Sequence, residues 1–143
     1  MTVFVPVRRA TLLIPSGPAH DHDRKHLFIV LTDPVINPEN QLSSVLLTSL
    51  STFNPSLPHD ATCILHPGDH PFITRNSFIS YSTSRILEEA KLINGVTSGV
   101  FVARELMDTG IVERICAGLS VSQQTPVKIN RFYRTYLNQL AGT

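Results

Sequence analysis

The sequence predicts a small β-rich domain of the α+β class with a helical C-terminal third. The ten prolines concentrate before residue 72, where glycine and asparagine also divide the chain into short segments. Short apolar segments between such residues are typical of strands joined by loops. Beyond Gly99 the spacing of apolar residues lengthens to that of a helix. We expect a single domain over residues 1–143, strand-rich from about 3 to 92 and helical from about 99 to 141.

The composition narrows the class of protein. Hydrophobic residues make up 42% of the chain and charged residues 16%, which is a globular mixture. The formal net charge is +1, so binding to nucleic acid would need a local cationic patch. Cys63 and Cys116 lie far apart in a chain without a secretory signal, which predicts reduced thiols in a cytoplasmic protein. No apolar run approaches the ~20 residues of a membrane helix, so we expect no membrane association.

The first half of the chain contains the predicted strands. The segment HLFIVLTDP is a continuous apolar run that ends at Asp-Pro, which favours a strand buried on both faces. The segment SRILEEAKL fits either the end of a strand or a helical turn. The predicted strands are Val3–Ile14, His26–Thr32, Ser44–Thr48, Thr62–Leu65 and Phe78–Ser82.

Two helices are predicted after Gly99. The first has apolar residues at helical spacing from Phe101 to Leu119, with a possible break near Thr109-Gly110. The second begins with Thr125 as N-cap and Pro126 at the first helical position. Its predicted apolar face consists of Ile129, Phe132, Tyr133, Tyr136, Leu137 and Leu140.

The last helix also carries three cations, Lys128, Arg131 and Arg134, with no acidic residue between 124 and 143. They fit an ordinary solvated helix face. They also fit a surface that binds an acidic protein segment or RNA phosphates.

The segment HDHDRKH offers one set of candidate site residues. His20, His22 and His26 could supply metal ligands, together with His66 and His70 from elsewhere in the chain, although their spacing matches no established metal motif. His-Asp alternation is also ordinary in loops. Arg24 and Lys25 directly precede a predicted strand, which would hold them firmly for binding an anion.

The segment HPGDHPFITRNSF offers a second set. Pro67-Gly68 and His70-Pro71 predict a stiff loop, and such loops commonly carry functional side chains. His70 could act as an acid or base near neutral pH. Arg75 and the amide of Asn76 could bind substrate, or Asn76 could simply stabilise a turn.

Thr48 and Ser49 form the third set, because two small hydroxyl residues follow the apolar strand Val45–Leu47. Taken alone, such a pair is the polar end of a strand.

Taken in order, these segments resemble the MazF/PemK-like toxins of bacterial toxin–antitoxin systems. HLFIVLTDP followed by VLLTSLS is similar to the second and third strands of that family, and Thr48 falls on its catalytic threonine. FITRNSFISYSTSRILEEAKL is similar to a later segment, with Asn76 and Ser77 on its acid/amide–serine pair. GVFVARELMDTGIVERICAGL resembles a family helix. The resemblance covers roughly residues 8–119.

The departures from the family pattern are also clear. The usual glycine-aspartate opening is missing, and so are the glycine-glutamate signature and the Arg-Pro pair before the second strand. Arg24 is the best substitute for the family arginine by its order along the chain. HPGDHPFI and the helix after Thr125 are additions to the pattern.

The resemblance implies an SH3-like β-barrel with helices packed outside, which forms a homodimer and pairs with a cognate antitoxin protein. It implies a metal-independent endoribonuclease that cleaves single-stranded RNA, such as mRNA, without a cofactor. In that mechanism Arg24 and Thr48 would contact the reacting phosphate, and His70 or His22 would transfer protons. The expected substrate-binding residues are His22, Lys25, Ser49, Arg75, Asn76 and Ser77.

Two other functions fit the sequence. The missing glycine-glutamate signature favours a barrel that has lost catalysis and binds a partner protein or RNA. A metal-dependent hydrolase built on the histidine cluster is the third interpretation.

Overall fold

The computed structural model describes residues 4–15 and 25–142. The described chain is strand-rich and of the α+β class, with a curled antiparallel sheet and three helices. The elements in chain order are β1 (Thr11–Pro15), β2 (Lys25–Val30), β3 (Val35–Ile36), β4 (Ser43–Thr52), β5 (Ile64–Leu65), β6 (Ser77–Glu88), α1 (Glu89–Thr97), β7 (Val102–Arg104), α2 (Thr109–Gly118) and α3 (Val127–Ala141). None of the described helices is both long enough and apolar enough to span a bilayer.

The sheet follows the order β5-β6-β4-β2-β1-β7, and β3 pairs with β4 beside this path. All of these pairs are antiparallel. The long strands β4 and β6 carry a register shift between Leu47 and Ser49. Bulges of this kind bend and twist a strand, which is consistent with the curl of the sheet.

Both faces of the central strands are buried, as the sequence predicted for HLFIVLTDP. Leu27, Ile29 and Leu31 pack on one face with the buried residues of α2 and α3. Phe28 and Val30 pack on the other face with Leu92 of α1. A strand buried on both sides needs no polar alternation, which explains the continuous apolar run.

Several predicted boundaries are wrong. The strand predicted over Val3–Ile14 is only Thr11–Pro15 within the described residues, because a turn precedes it in which Arg9 adopts a positive φ of 83°. Residues 102–104 form β7 instead of a helix, and the helix begins at Thr109 with Asp108 as its N-cap. SRILEEAKL contains both alternatives, since β6 runs to Glu88 and α1 follows at once.

The last helix packs through half of its predicted apolar face. Ile129, Phe132 and Tyr136 are buried, whereas Leu137 and Leu140 are exposed. The N-cap residue is Pro126 and not Thr125, and no side-chain hydrogen bond caps the start of this helix. Lys128, Arg131 and Arg134 all lie on the exposed face, as predicted.

Candidate functional site

Thr48 lies within a strand and not at its end. Strand β4 continues to Thr52, and the Thr48 side chain is fully buried. Its hydroxyl donates to the carbonyl oxygen of Ser80 at 3.3 Å and accepts from Ser84 Oγ at 3.0 Å. The hydroxyl therefore both donates and accepts within the sheet, which favours a structural role. The expected contact between Thr48 and substrate stays a prediction.

Ser49 is committed in the same way. It is 3% exposed, and its Oγ lies 2.6 Å from Thr83 Oγ1. Together these contacts join β4 to β6 where their register shifts. Hydrogen bonds between hydroxyl groups at an irregular point of a strand pair stabilise the sheet, which is a structural role.

His70 is also buried, at 2% exposure, and both ring nitrogens have partners. Nε2 lies 2.6 Å from the carbonyl oxygen of Glu105, and the backbone N–H of Phe72 donates to Nδ1 at 3.1 Å. A carbonyl oxygen can only accept and a backbone N–H can only donate, so in these contacts Nε2 is the donor and Nδ1 the acceptor. His70 therefore fastens the loop of residues 66–76 to the chain after β7, which argues against its expected role in proton transfer.

The loop of residues 66–76 is held by internal hydrogen bonds and by one buried side chain. Gly68 has a φ of 96°, which favours glycine, and Asp69 N–H donates to the carbonyl oxygen of His66 at 3.0 Å. The Asp69 carboxylate accepts the His66 N–H at 2.8 Å. Ile73 is buried in the core, so the middle of the loop is anchored as well.

Two adjoining cavities, of about 590 and 270 Å³, lie along this loop and together form what we call the basic groove. They share Leu50, Thr52 and Phe72 as lining residues. The larger cavity is also lined by Pro71, Ile73, Thr74, Arg75, Ser77 and Arg104, and the smaller by Lys25, His26, Leu27 and Ser51. Within the described chain, no carboxylate lines either cavity.

Three cationic side chains reach the basic groove from different parts of the chain. Lys25 starts β2, Arg75 lies in the loop before β6, and Arg104 ends β7. The Arg104 guanidinium lies over the half-buried ring of Phe72, 5.4 Å from its centroid. These three side chains form a local cationic patch, which a protein of near-neutral net charge would need in order to bind an anion.

One carboxylate lies beside the groove. Glu105 Oε1 pairs with Arg104 Nε at 3.1 Å, and both side chains are partly exposed. The hydrogen bond from its own backbone N–H and the Arg104 side chain lower the pKa of Glu105 below its ordinary value. Glu105 therefore stays ionised near neutral pH and orients Arg104 while it offsets part of its charge.

Of the expected substrate-binding residues, the structure brings Lys25, Arg75 and Ser77 to the basic groove. Ser77 is buried and donates to the carbonyl oxygen of Arg75 at 3.0 Å, so it holds the backbone at Arg75. Asn76 accepts from His66, with Oδ1 3.1 Å from Nδ1. Arg24, His20 and His22 lie outside the described residues, although Arg24 directly precedes Lys25 in sequence.

Sequence reasoning missed Phe72 and Arg104. Phe72 lies in the loop that was predicted to carry a site. It follows two prolines and precedes a cation, Arg75, and this pattern could have indicated it as a binding residue. Arg104 could not be found, because its segment has helical periodicity and its neighbours in the groove are distant in sequence.

The metal site on the histidine cluster, which was only an alternative interpretation, is not tested by the structure. In the described part of the chain, no three His, Cys, Asp or Glu side chains are grouped so that they could bind a metal ion. His20 and His22 lie outside that part.

Comparison of the sequence with models of known protein families finds no match, and comparison with curated proteins finds none either.

Proposed function

We propose that the basic groove binds single-stranded RNA. The observation that carries this proposal is the convergence of Lys25, Arg75 and Arg104 on one groove that also contains Phe72. Contacts between cations and phosphates supply most of the affinity of proteins for nucleic acid. Single-stranded bases additionally stack on aromatic rings and on guanidinium planes, and the Phe72–Arg104 pair offers both.

The wider proposal is that the protein cleaves the RNA that it binds, as a metal-independent toxin of a toxin–antitoxin pair. It rests on the resemblance to MazF/PemK-like toxins, and it includes an SH3-like barrel, a homodimer and an antitoxin partner. Arg24 precedes Lys25, a lining residue of the groove, and its guanidinium would stabilise the charge that develops on the phosphorane.

The second candidate is a binding module of the same fold without catalysis. The burial of Thr48 and His70 favours it, because two of the three expected catalytic side chains are committed to the fold. In that case the groove would hold RNA without breaking it.

Binding is tested by replacing Lys25, Arg75 and Arg104 with Gln, singly and together, and titrating a labelled single-stranded RNA at several salt concentrations. Each phosphate contact contributes about 0.7 to the slope of log K against log salt for a single strand. The triple variant should therefore lose about 2 from the magnitude of that slope. Lys91→Gln is the matched control, since Lys91 is exposed on α1 and outside the groove. Equal slopes for parent and triple variant would refute the proposal.

Cleavage is tested on the same RNA in the presence of EDTA. Cleavage that survives the chelator and falls about 10²–10³-fold in Arg24→Ala supports the toxin-like activity. Tight binding without cleavage supports the binding module. Loss of cleavage with EDTA, restored by zinc or manganese, would instead support the metal-dependent hydrolase.

A further inference from the structure

We propose that a second cavity binds a small amphipathic acid with one carboxylate, and that this ligand competes with RNA through Arg104. The cavity, which we call the apolar cavity, has a volume of about 310 Å³. It is lined by Phe4, Val5, Val7, Ala10, Thr11, Ala103, Arg104 and Leu106. The competition rests on the proposed RNA groove, whereas the binding of the acid does not.

Hydrogen bonds hold the two walls of the apolar cavity together. One wall comes from residues 4–11 and the other from residues 103–106. Strands β1 and β7 pair, with Thr11 opposite Arg104. Just beyond this pairing, the Met107 N–H donates to the carbonyl oxygen of Arg9 at 2.9 Å, and Arg9 Nε donates to the carbonyl oxygen of Met107 at 2.7 Å. The cavity is therefore formed before a ligand binds, which reduces the entropy that binding costs.

Two apolar side chains of the lining are largely exposed. Val5 is 54% exposed and Leu106 is 56% exposed in the described chain. The Thr11 hydroxyl, which also belongs to the lining, is committed, because its Oγ1 donates to the carbonyl oxygen of Glu105 at 2.6 Å. A ligand that covers Val5 and Leu106 removes apolar surface from water, which is favourable. We therefore expect the ligand to have an apolar body.

Arg104 is the one charged residue that lines this cavity within the described chain. Its Nε pairs with the Glu105 carboxylate at 3.1 Å. Its two terminal nitrogens have no hydrogen-bond partner among the described residues. A carboxylate can accept two parallel hydrogen bonds from such a guanidinium, and its charge strengthens both of them. Charge complementarity therefore favours an apolar ligand with a single carboxylate at one end.

The volume of the cavity limits the size of the ligand. At about 30 Å³ for each non-hydrogen atom, the volume that one water molecule occupies in the liquid, the cavity holds on the order of ten such atoms. Octanoate has this size, an apolar chain and one carboxylate, so it is a suitable probe for the site.

Arg104 also connects the apolar cavity to the basic groove, because it lines both of them. On the side of the groove its guanidinium lies over Phe72, 5.4 Å from the centroid of the ring. One guanidinium cannot pair fully with a phosphate in the groove and with a carboxylate in the apolar cavity at the same time. Octanoate should therefore weaken RNA binding, and thermodynamic linkage requires RNA to weaken octanoate binding by the same factor.

Calorimetric titration of the full chain measures octanoate binding below the micellar concentration of this acid. We expect a Kd of about 1 mM or tighter for the parent. Arg104→Gln should weaken octanoate binding about 10-fold or more and change the Kd of octan-1-ol, which has no charge, less than about 3-fold. Leu106→Gln should weaken the binding of both ligands, because it removes apolar contact surface.

Arg75→Gln is the matched control, because Arg75 lines the basic groove but not the apolar cavity. This variant should bind RNA more weakly and keep its octanoate Kd within about 3-fold of the parent. Titration of a labelled single-stranded RNA with and without saturating octanoate then measures the competition. Octanoate should raise the RNA Kd of the parent about 5-fold or more, and this effect should disappear in Arg104→Gln.

Several results would overturn this proposal. Octanoate that does not bind the folded parent, or that binds Arg104→Gln as tightly as the parent, rules out the ligand site. Light scattering that shows a dimer which Leu106→Gln dissociates, together with no octanoate binding, would make the cavity an interface between two copies of the chain. An RNA Kd that saturating octanoate leaves unchanged rules out the competition. A parent that binds octanoate and no RNA supports the ligand site and refutes the proposed function, so the two failures are distinguishable.

Discussion

Replacing His70 with alanine should destabilise the protein, because the side chain is buried and fastens a loop. The imidazole donates to the carbonyl oxygen of Glu105 at 2.6 Å and accepts from the N–H of Phe72 at 3.1 Å. Each hydrogen bond contributes about 1 kcal/mol net. The space left by a ring that is 2% exposed adds roughly 1–2 kcal/mol. The free energy of unfolding should therefore fall by about 3–4 kcal/mol.

Urea unfolding followed by circular dichroism measures this loss directly, since the chain contains no tryptophan. In a protein of this size 1 kcal/mol shifts Tm by about 2–4 °C, so we expect His70→Ala to melt about 6–16 °C lower. His66→Ala is the matched control, because His66 is exposed on the same loop. Its free energy of unfolding should stay within about 0.5 kcal/mol of the parent.

The opposite pattern would refute this reasoning. If His70→Ala unfolds at the same urea concentration as the parent and yet fails to cleave RNA, the contacts to Glu105 and Phe72 do not stabilise the fold. His70 would then return as the acid–base residue expected from the sequence.

Two further predictions concern Asp60 and the last helix. Ser122→Ala should lower the free energy of unfolding near pH 7 by about 1.5–3 kcal/mol, because its hydroxyl donates to Asp60 Oδ2 at 2.6 Å. Burial works to raise the pKa of Asp60, but hydrogen bonds from Ser122 and its neighbours lower that pKa overall. The stabilisation by Ser122 should therefore be present above about pH 4 and disappear as pH falls through the lowered pKa of Asp60. Urea titrations in which the parent and Ser122→Ala still differ as much at about pH 2 as at about pH 7 would contradict this. Replacing Lys128, Arg131 and Arg134 by Gln should leave unfolding within about 0.5 kcal/mol, since all three are exposed and Arg131 has only a surface pair at 3.9 Å. A loss of RNA affinity in that triple variant as large as in the groove variants would show that RNA does not bind only in the groove.

The strands were predictable where burial is dictated by the local sequence. The run HLFIVLTDP is apolar at every position that the sheet buries, so its strand could be read directly. Strand β7 could not be predicted, because three residues are too few to show the alternation of apolar and polar residues that is typical of a strand. Its pairing of Leu13 with Val102 and Thr11 with Arg104 depends on β1, about 90 residues earlier. A helix was predicted for these residues because the helical spacing of apolar residues in α2 begins before it.

The candidate site was predictable in its loop but not in the direction of its side chains. HPGDHPFITRN was expected to be a stiff loop with a site, and Pro71 to Arg75 do line the basic groove. Thr48 was taken for a strand end, whereas β4 continues for four more residues and buries it. The sequence contains two histidines in this loop, and nothing in their local order shows that His70 faces inward and His66 outward.

The buried His70 and the exposed His66 hold the same loop in different ways. His70 holds the middle of the loop against the chain after β7, and the His66–Asn76 hydrogen bond closes the loop at its base. Phe72 and Arg75 lie between these two contacts, so we expect the loop to need little ordering when it binds a ligand. Binding that requires no ordering of the loop loses less conformational entropy, so a small number of cations suffices. If the groove binds RNA as proposed, stability and RNA affinity should fall together when His70 is replaced, although the net charge of the protein is only +1.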